Sequence, residues 1–291
     1  MALASVPVAA LATPARAGLA DTLRRHPTIA VGGVLLLVVA LAALLAPWIT
    51  ADPLLLSPAD RLKAPSAEHW LGTDSLGRDV FARLVHGARI SLLVGLSVAL
   101  IAVTCGAVIG LAAGYFSRLD AVVMRVMDGL MAIPAILLAI ALVALLGGSV
   151  KVVIVAIAIP EVPRVARLVR SVVLSVRGLP YVEAARAGGT RVGKLLRRHV
   201  LPSTVAPLIV QATYICASAI LTEAGLSFLG AGTPPELPTW GNMIASNRLY
   251  LQLAPWTVFA PGICLALVVL AVNLMGDGLR DRLDPRISRR M

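Results

Sequence analysis

The sequence predicts an all-α protein built as a membrane-embedded bundle of six transmembrane helices, and two observations carry the prediction. First, 58% of the 291 residues are hydrophobic and only 14% are charged, whereas a soluble domain carries about 25% charged residues. Second, the apolar residues form long uninterrupted runs, which gives a mean hydropathy of +0.89. Most of the surface is therefore expected to face lipid.

Five runs contain no charged residue and are each long enough to cross a bilayer. They are residues 29–49, 90–116, 129–150, 203–222 and 255–276. At a rise of about 1.5 Å per residue, roughly 20 helical residues cross a hydrocarbon core of about 30 Å. Pro134 predicts a kink within the third run.

A sixth span is less evident, because Lys151 and Glu161 enclose only a short apolar run. We place it at residues 149–164, with Lys151 extending towards the membrane surface. Arg164 and the arginines after it mark its end, since each would cost about 2.5–3.5 kcal/mol at the centre of a span. The spans together make a six-helix domain at residues 29–276.

The charged residues predict the orientation of the bundle. In the six-span arrangement, residues 1–28, 117–128, 165–202 and 277–291 lie on one face, and residues 50–89 and 226–254 form the main segments of the other. The stretch 161–202 holds nine Lys and Arg against two Glu, a net charge of +7. The first face carries the whole formal charge of +11, as the positive-inside rule requires of a cytoplasmic side. Both tails, 1–28 and 277–291, are therefore predicted to be cytoplasmic, and the basic composition reports orientation rather than nucleic-acid binding.

The residues that bear chemistry form no recognisable catalytic or metal-binding set. The four histidines are scattered over both faces and the three cysteines fall inside spans, so neither metal nor catalytic residues are predicted. Gly188, Gly193 and Lys194 mimic a phosphate-binding loop, but Leu195 stands where a hydroxyl would be needed. No cofactor is expected on this chain. The sequence also assigns no substrate-contacting residue.

Two smaller patterns predict packing. Gly106, Gly110 and Gly114 recur every fourth residue on one helical face, which favours close approach of a second helix; we favour packing within the bundle over a subunit interface. In the outer segment, Asp74 and Asp79 are predicted to organise the loop by pairing with Arg78 and Arg83.

The basic segment 165–202 has an order of residues that predicts an elbow. Residues 181–187 favour a helix, and Pro180 suits its first turn. Gly188 and Gly189 break this helix, after which Thr190 is predicted to cap a second helix at residues 191–199. Pro202 is then expected to open the fifth span.

Within this elbow, Glu183-Ala184-Ala185, then Gly189, and later Leu201-Pro202 resemble the cytoplasmic signature of the permeases of binding-protein-dependent ABC importers. Further segments are similar to the C-type permease subunit of dipeptide and oligopeptide importers: residues 69–80, 110–128, 181–202, 223–230, 240–241 and 276–286. Gly188, His199 and Ser203 depart from the general signature.

The resemblance implies a type I ABC importer permease fold, in which the elbow docks into a cleft of a separate ATPase. It assigns Glu183 as the charge offered to that partner, Ala184 and Ala185 as small residues for close approach, and Gly189 as the corner. Tyr181, Gly188, Leu201 and Pro202 complete the predicted coupling site.

It also implies partners: a homologous second permease, two ATPase subunits or domains that hold ATP and Mg²⁺, an extracytoplasmic peptide-binding protein and the peptide itself. The assembly would lie among the lipids of the bacterial cytoplasmic (inner) membrane.

Four alternatives are weighed against this interpretation. The basic segment could be a solvated connector, and an ABC permease could carry another cargo, such as nickel or glutathione. An ion-coupled secondary carrier would generally place ionisable residues inside the membrane, and the five uncharged runs contain none. An intramembrane enzyme would need a catalytic set at membrane depth, which the sequence does not supply.

Overall fold

The structure, a computed structural model, describes residues 27–283. Its secondary structure in that range is helical, with loops between the helices and an isolated bridge between Thr73 and Asp79 as its one β-type pairing. The α-helices are α1 (Pro27–Ile49), α2 (Val80–Tyr115), α3 (Ser117–Ala132), α4 (Ala135–Leu146), α5 (Val150–Val176), α6 (Pro180–Ala187), α7 (Val192–Leu195), α8 (Leu201–Phe228), α9 (Trp240–Asn247) and α10 (Trp256–Leu283). The all-α prediction is confirmed for the described residues. Most of both predicted tails, residues 1–26 and 284–291, lies outside them.

Four helical stretches within 27–283 are long and apolar enough to cross a membrane: Pro27–Ile49, Val80–Tyr115, Val192–Phe228 and Trp256–Leu283. A fifth is added if α3 and α4, which meet at an angle of 86°, form one broken span. The bend lies at the predicted Pro134 kink, because proline cannot continue the hydrogen-bond ladder. The remaining predicted span lies in α5, whose Lys151, Glu161 and arginines make it too charged to count on composition alone.

Several helices extend beyond the boundaries predicted from charge. α2 begins at Val80 and takes in residues 80–89 of the predicted outer segment, with Asp79 capping it by accepting from the backbone N–H of Ala82 at 2.7 Å. α5 continues to Val176, so residues 165–176 are helix rather than loop. The predicted boundaries followed the first charged residues, which mark where the apolar run ends. The helix itself ends where its backbone hydrogen bonding ends, and that point lies further along the chain.

The glycine pattern of α2 packs against α5. A Cβ atom on Gly110 would lie 2.5 Å from the carbonyl oxygen of Ala166 and 2.7 Å from Cβ of Val169. Gly106 and Gly114 meet Val165 and Val173 in the same way. The predicted packing within the bundle is therefore confirmed: valines on one helix fill the groove left by glycines on the other.

At one end of the bundle, which we call the loop end, residues 50–79 and 229–255 cover the starts of α2 and α10. Asp74 is 1% exposed and accepts from Nε of Arg78 at 2.7 Å, while Nε of Arg83 lies 3.8 Å from it. The predicted organising role of Asp74 is thus confirmed. Asp79 instead pairs with Nδ1 of His69 at 2.8 Å, because its other oxygen is taken by the helix cap.

The loop end is closed by α9. Trp240 is buried, and its indole N–H donates to the carbonyl oxygen of Leu84 at 3.0 Å. Glu223 on α8 is 1% exposed and accepts from the hydroxyls of Ser227 and Thr239 at 2.8 and 3.0 Å. Since Thr239 also caps α9, this carboxylate fastens the end of α8 to the start of α9.

Candidate docking elbow

The opposite end of the bundle, which we call the elbow end, carries residues 177–200. Its first arm is α6, which starts at Pro180, a position where the missing N–H has no cost. The helix stops at Gly188, and Gly189 has a φ of +77°, a left-handed conformation that costs roughly 1–2 kcal/mol for a residue with a side chain. The N–H of Thr190 donates back to the carbonyl oxygen of Ala185 at 3.1 Å and closes the turn.

The two glycines of the corner have different physical roles. A Cβ on Gly189 would meet open space, so its backbone conformation is what requires glycine. Gly188 has a φ of −73°, which any residue adopts. The predicted corner at Gly189 therefore has a physical basis, and the departure from the family signature at Gly188 introduces no additional left-handed residue.

The second arm differs from the prediction. Thr190 does not cap it: the cap position is Arg191, whose side chain makes no capping bond. α7 leads into a π-helical turn, Leu196–Val200, and then directly into α8. Pro202 consequently does not open a new helix, because the wide turn joins the N–H of Leu201 to the carbonyl oxygen of Leu196 and accommodates the proline that follows. The second arm is one piece with the long helix.

Two of the predicted docking side chains lie on the outward face of α6, whereas Ala185 packs against Val182 and its apolar neighbours on the inner face. Glu183 and Ala184 are exposed and Ala185 is half-buried. Glu183 makes no hydrogen bond or ion pair within residues 27–283, so its carboxylate is available to another molecule. Tyr181 is 46% exposed, and its hydroxyl donates to the carbonyl oxygen of His199 at 3.4 Å, which links the two arms.

The opposite face of the elbow is apolar and was not predicted. Val182 and Leu195, one from each arm, are 2% and 1% exposed and pack with Val176 at the end of α5. Tyr115, at the end of α2, lies against the same cluster. The sequence offers several apolar residues within each basic arm, among them Val182 in the first and Leu195 in the second, and only the packing reveals that these two meet.

Arg177 strengthens this attachment by donating to the carbonyl oxygen of Gly114 at 3.0 Å, which satisfies a free acceptor in the last turn of α2. Nearby, the guanidinium of Arg170 on α5 makes two hydrogen bonds to the carboxylate of Asp120 on α3, and Arg167 pairs with Asp128 at 2.7 Å. Arg167 and Arg170, which the sequence analysis counted only as positive charge, thus join α3 to α5. The last predicted residues, Leu201 and Pro202, follow directly on the π-helical turn within the same continuous helix, and are half-buried and exposed respectively.

An exposed elbow, packed on two helix ends and continuous with a membrane-length helix, belongs to a multi-pass membrane protein that presents a folded surface element at one end of its bundle. Residues 102–289 match the family described as binding-protein-dependent transport system inner membrane component, and the chain belongs to this family. The resemblance predicted from the elbow and its flanking motifs is therefore confirmed.

Curated relatives match along nearly the whole chain. A probable peptide ABC transporter permease protein of Sinorhizobium fredii is 61% identical over 267 residues, covering 92% of each chain. A dipeptide transport system permease protein of Alkalihalophilus pseudofirmus is 46% identical, covering 91% of this chain and 88% of its own length. A glutathione transport system permease protein of Pectobacterium atrosepticum is 42% identical, covering 98% and 97%.

The fold is shared with a solved transporter. An inward-facing structure of the MetNI methionine ABC transporter aligns with a TM-score of 0.55 at 18% identity, covering 69% of this chain and 96% of that one. The likeness supports the type I ABC permease fold.

Proposed function

We propose that this chain is the C-type permease subunit of an ATP-driven importer of dipeptides or oligopeptides and forms half of its translocation pathway. The observation that carries the proposal is the elbow, where an unpaired Glu183 and two small residues stand on a surface helix locked to the ends of α2 and α5. The names of the relatives support peptide as the cargo.

In the proposed assembly the elbow end is cytoplasmic and each elbow binds a separate ATPase, which holds ATP and Mg²⁺. A homologous permease supplies the other half of the pathway, and an extracytoplasmic binding protein delivers peptide at the loop end. The chain would cross the membrane six times, with the third span formed by the end of α3 together with α4, and the fourth by α5. The concentration of positive charge in residues 161–202 supports this orientation.

The contacts of the elbow suggest how force would travel. Movement of α6 would reach α8 through the continuous second arm, and α2 and α5 through Val182 and Leu195. Since the Gly–Val groove holds α2 and α5 together, these helices would tilt as a unit. The wide turn at Leu196–Val200 is the one irregular element in the second arm.

Replacement of Glu183 by Lys tests the proposal. We expect the variant to be inserted and to keep its stability, but to lose ATPase co-purification and at least about 90% of labelled dipeptide uptake, because charge reversal at a desolvated contact costs several kcal/mol. Glu236→Lys is the matched control, since Glu236 is also exposed but lies at the loop end. Normal uptake by Glu183→Lys would refute the docking role.

Gly189→Val provides a second, independent test of the corner. The side chain meets open space, so only the left-handed backbone is opposed. Gly188→Val is the control, because its φ suits any residue. We expect uptake to fall in Gly189→Val and to be largely retained in Gly188→Val. Equal losses would show that the left-handed conformation of Gly189 is not required for uptake.

Glutathione is the second candidate cargo, favoured by the 42% identical relative. Uptake of a labelled dipeptide in the presence of excess glutathione separates the two. Family membership also weighs against an ion-coupled secondary carrier. If the chain belongs to an ATP-driven importer, uptake should depend on ATP and persist when ion gradients are collapsed.

A further inference from the structure

α3, the helix that joins α2 to α4 at the elbow end, has two sides of different chemistry. Its inner side packs on α5. Asp120 and Asp128 make the ion pairs with α5 described above, and Met127 between them is buried. This side of the helix is therefore held by contacts within the chain.

The outer side of α3 carries an apolar stripe. Leu119, Val122 and Val126 are 48, 66 and 55% exposed. Their spacing of three and four residues places them on one face of the helix. Three large aliphatic side chains thus stand uncovered on a helix of only 16 residues. Because exposure of such a stripe to water is unfavourable, lipid or another protein is expected to cover it.

Two arginines border the apolar stripe. Arg118 and Arg125 are two helical turns apart, and at 3.6 residues per turn both lie beside Val122 on the outer side. Both are exposed, and neither side chain makes a hydrogen bond or an ion pair to another residue between positions 27 and 283. An apolar stripe flanked by arginines is typical of a helix that lies in the interface between lipid and water.

The direction of α3 agrees with an interfacial position. α4 consists of Ala, Ile, Leu and Val alone, so it belongs in the hydrocarbon core and runs across the membrane. α3 meets α4 at 86°, which sets α3 nearly parallel to the membrane surface. Phe116, directly before α3, is also exposed, and aromatic side chains are common on the membrane-facing side of interfacial helices.

We propose that α3 lies in the headgroup layer of the leaflet at the elbow end and binds anionic phospholipid there. Leu119, Val122 and Val126 insert among the acyl chains, and Arg118 and Arg125 bind the lipid phosphates. The anionic charge of the headgroups is complementary to the two arginines, each of which strengthens binding roughly fivefold. The ion pairs between α3 and α5 then hold α5, and the elbow that follows it, at a fixed depth.

The inference depends on the membrane-embedded fold and on neither the cargo nor ATPase docking. A protein partner in the same place would exclude lipid from the stripe, and water on a solvated helix would reach every side of it. Lipid, protein and water therefore predict different accessibilities for Val122.

Fluorescence quenching tests the placement in the complete transporter, reconstituted in liposomes of phosphatidylcholine and phosphatidylglycerol after Cys105, Cys216 and Cys264 are replaced by Ala. A fluorophore is attached to a cysteine introduced at Val122. The matched control is Ala121, which is exposed and lies about 100° away around the helix. We expect nitroxide on the acyl chains to quench the Val122 probe at least about three times as strongly as the Ala121 probe. Iodide in the water should show the reverse order.

Strong iodide quenching of both probes would overturn the inference and indicate a solvated helix. Weak quenching of the Val122 probe by both nitroxide and iodide would overturn it in favour of a protein partner on the stripe. Failure of the proposed function is recorded separately, since ATPase co-purification and ATP-dependent uptake of the cysteine-free parent are measured beforehand.

Brominated lipids test the role of the two arginines. Quenching of the Val122 probe by brominated phosphatidylglycerol, relative to brominated phosphatidylcholine, measures the local preference for an anionic headgroup. We expect a preference of about fivefold or more in the parent, and its loss in the double variant Arg118→Gln/Arg125→Gln. Arg89→Gln should keep the preference, because Arg89 is exposed but lies towards the loop end of α2. Equal quenching by the two lipids in the parent, or an unchanged preference in the double variant, would overturn lipid binding by these arginines.

Discussion

The two ends of the bundle are built by different interactions. At the loop end, charged and polar groups are buried: Asp74, Arg83 and Glu223 are each 1% exposed. At the elbow end, the charged groups are largely exposed, and a small apolar cluster around Val182 and Leu195 provides the attachment.

The difference agrees with the role proposed for each end. A buried polar network is directional, so it fixes one arrangement of loops and α9 and resists sliding. An apolar contact is non-directional and can tolerate small rotations while it still transmits displacement. We infer that the loop end is built to hold a defined cover, whereas the elbow end is built to be moved by a partner.

The largest effect should follow from breaking the loop-end network with Asp74→Ala. Arg78 and Arg83 would remain buried without their carboxylate, and loss of one partner of a buried pair costs about 3–5 kcal/mol. The thermal unfolding temperature of the detergent-solubilised protein measures it. Glu68→Ala, at an exposed position in the same segment, should leave that temperature nearly unchanged. A small loss from Asp74→Ala would mean that the loop end is not held by its charges.

A smaller loss is expected when the elbow cluster is opened by Leu195→Ala. Truncation of a buried leucine costs about 2–5 kcal/mol, and the low end applies because few residues surround it. Val192→Ala, on the same arm but 40% exposed, is the control. In the assembled transporter, we expect Leu195→Ala to hydrolyse ATP at near-normal rates with uptake reduced. Proportional loss of both activities would indicate damaged docking rather than lost transmission.

The smallest change in stability should come from Glu183→Gln, which sharpens the comparison by separating stability from partner binding. An exposed, unpaired side chain contributes within about 0.5 kcal/mol, so the unfolding temperature should match that of the parent. Association with the ATPase should nevertheless weaken, as measured by co-purification at increasing salt. A marked drop in unfolding temperature would show that Glu183 has a partner within its own chain.

Composition predicted the helical membrane architecture because side chains that face lipid must be apolar and the backbone must satisfy its own hydrogen bonds. Long apolar runs are the direct consequence. The corner at Gly189 was also predictable, since two glycines after a helix-forming stretch are a local signal. The continuous second arm was not: Pro202 favours a helix start locally, and the π turn that carries the helix past it is a solution that the sequence pattern does not display.

By itself, therefore, the sequence determined that this chain is a helical membrane protein, the elbow's corner and the family to which it belongs, because these depend on local composition and on motifs in order. Only the tertiary structure decided that Val182 meets Leu195 and that Asp79 binds His69 instead of an arginine. Such contacts join residues on different structural elements, and their partners are selected by packing geometry, which a linear pattern does not record directly.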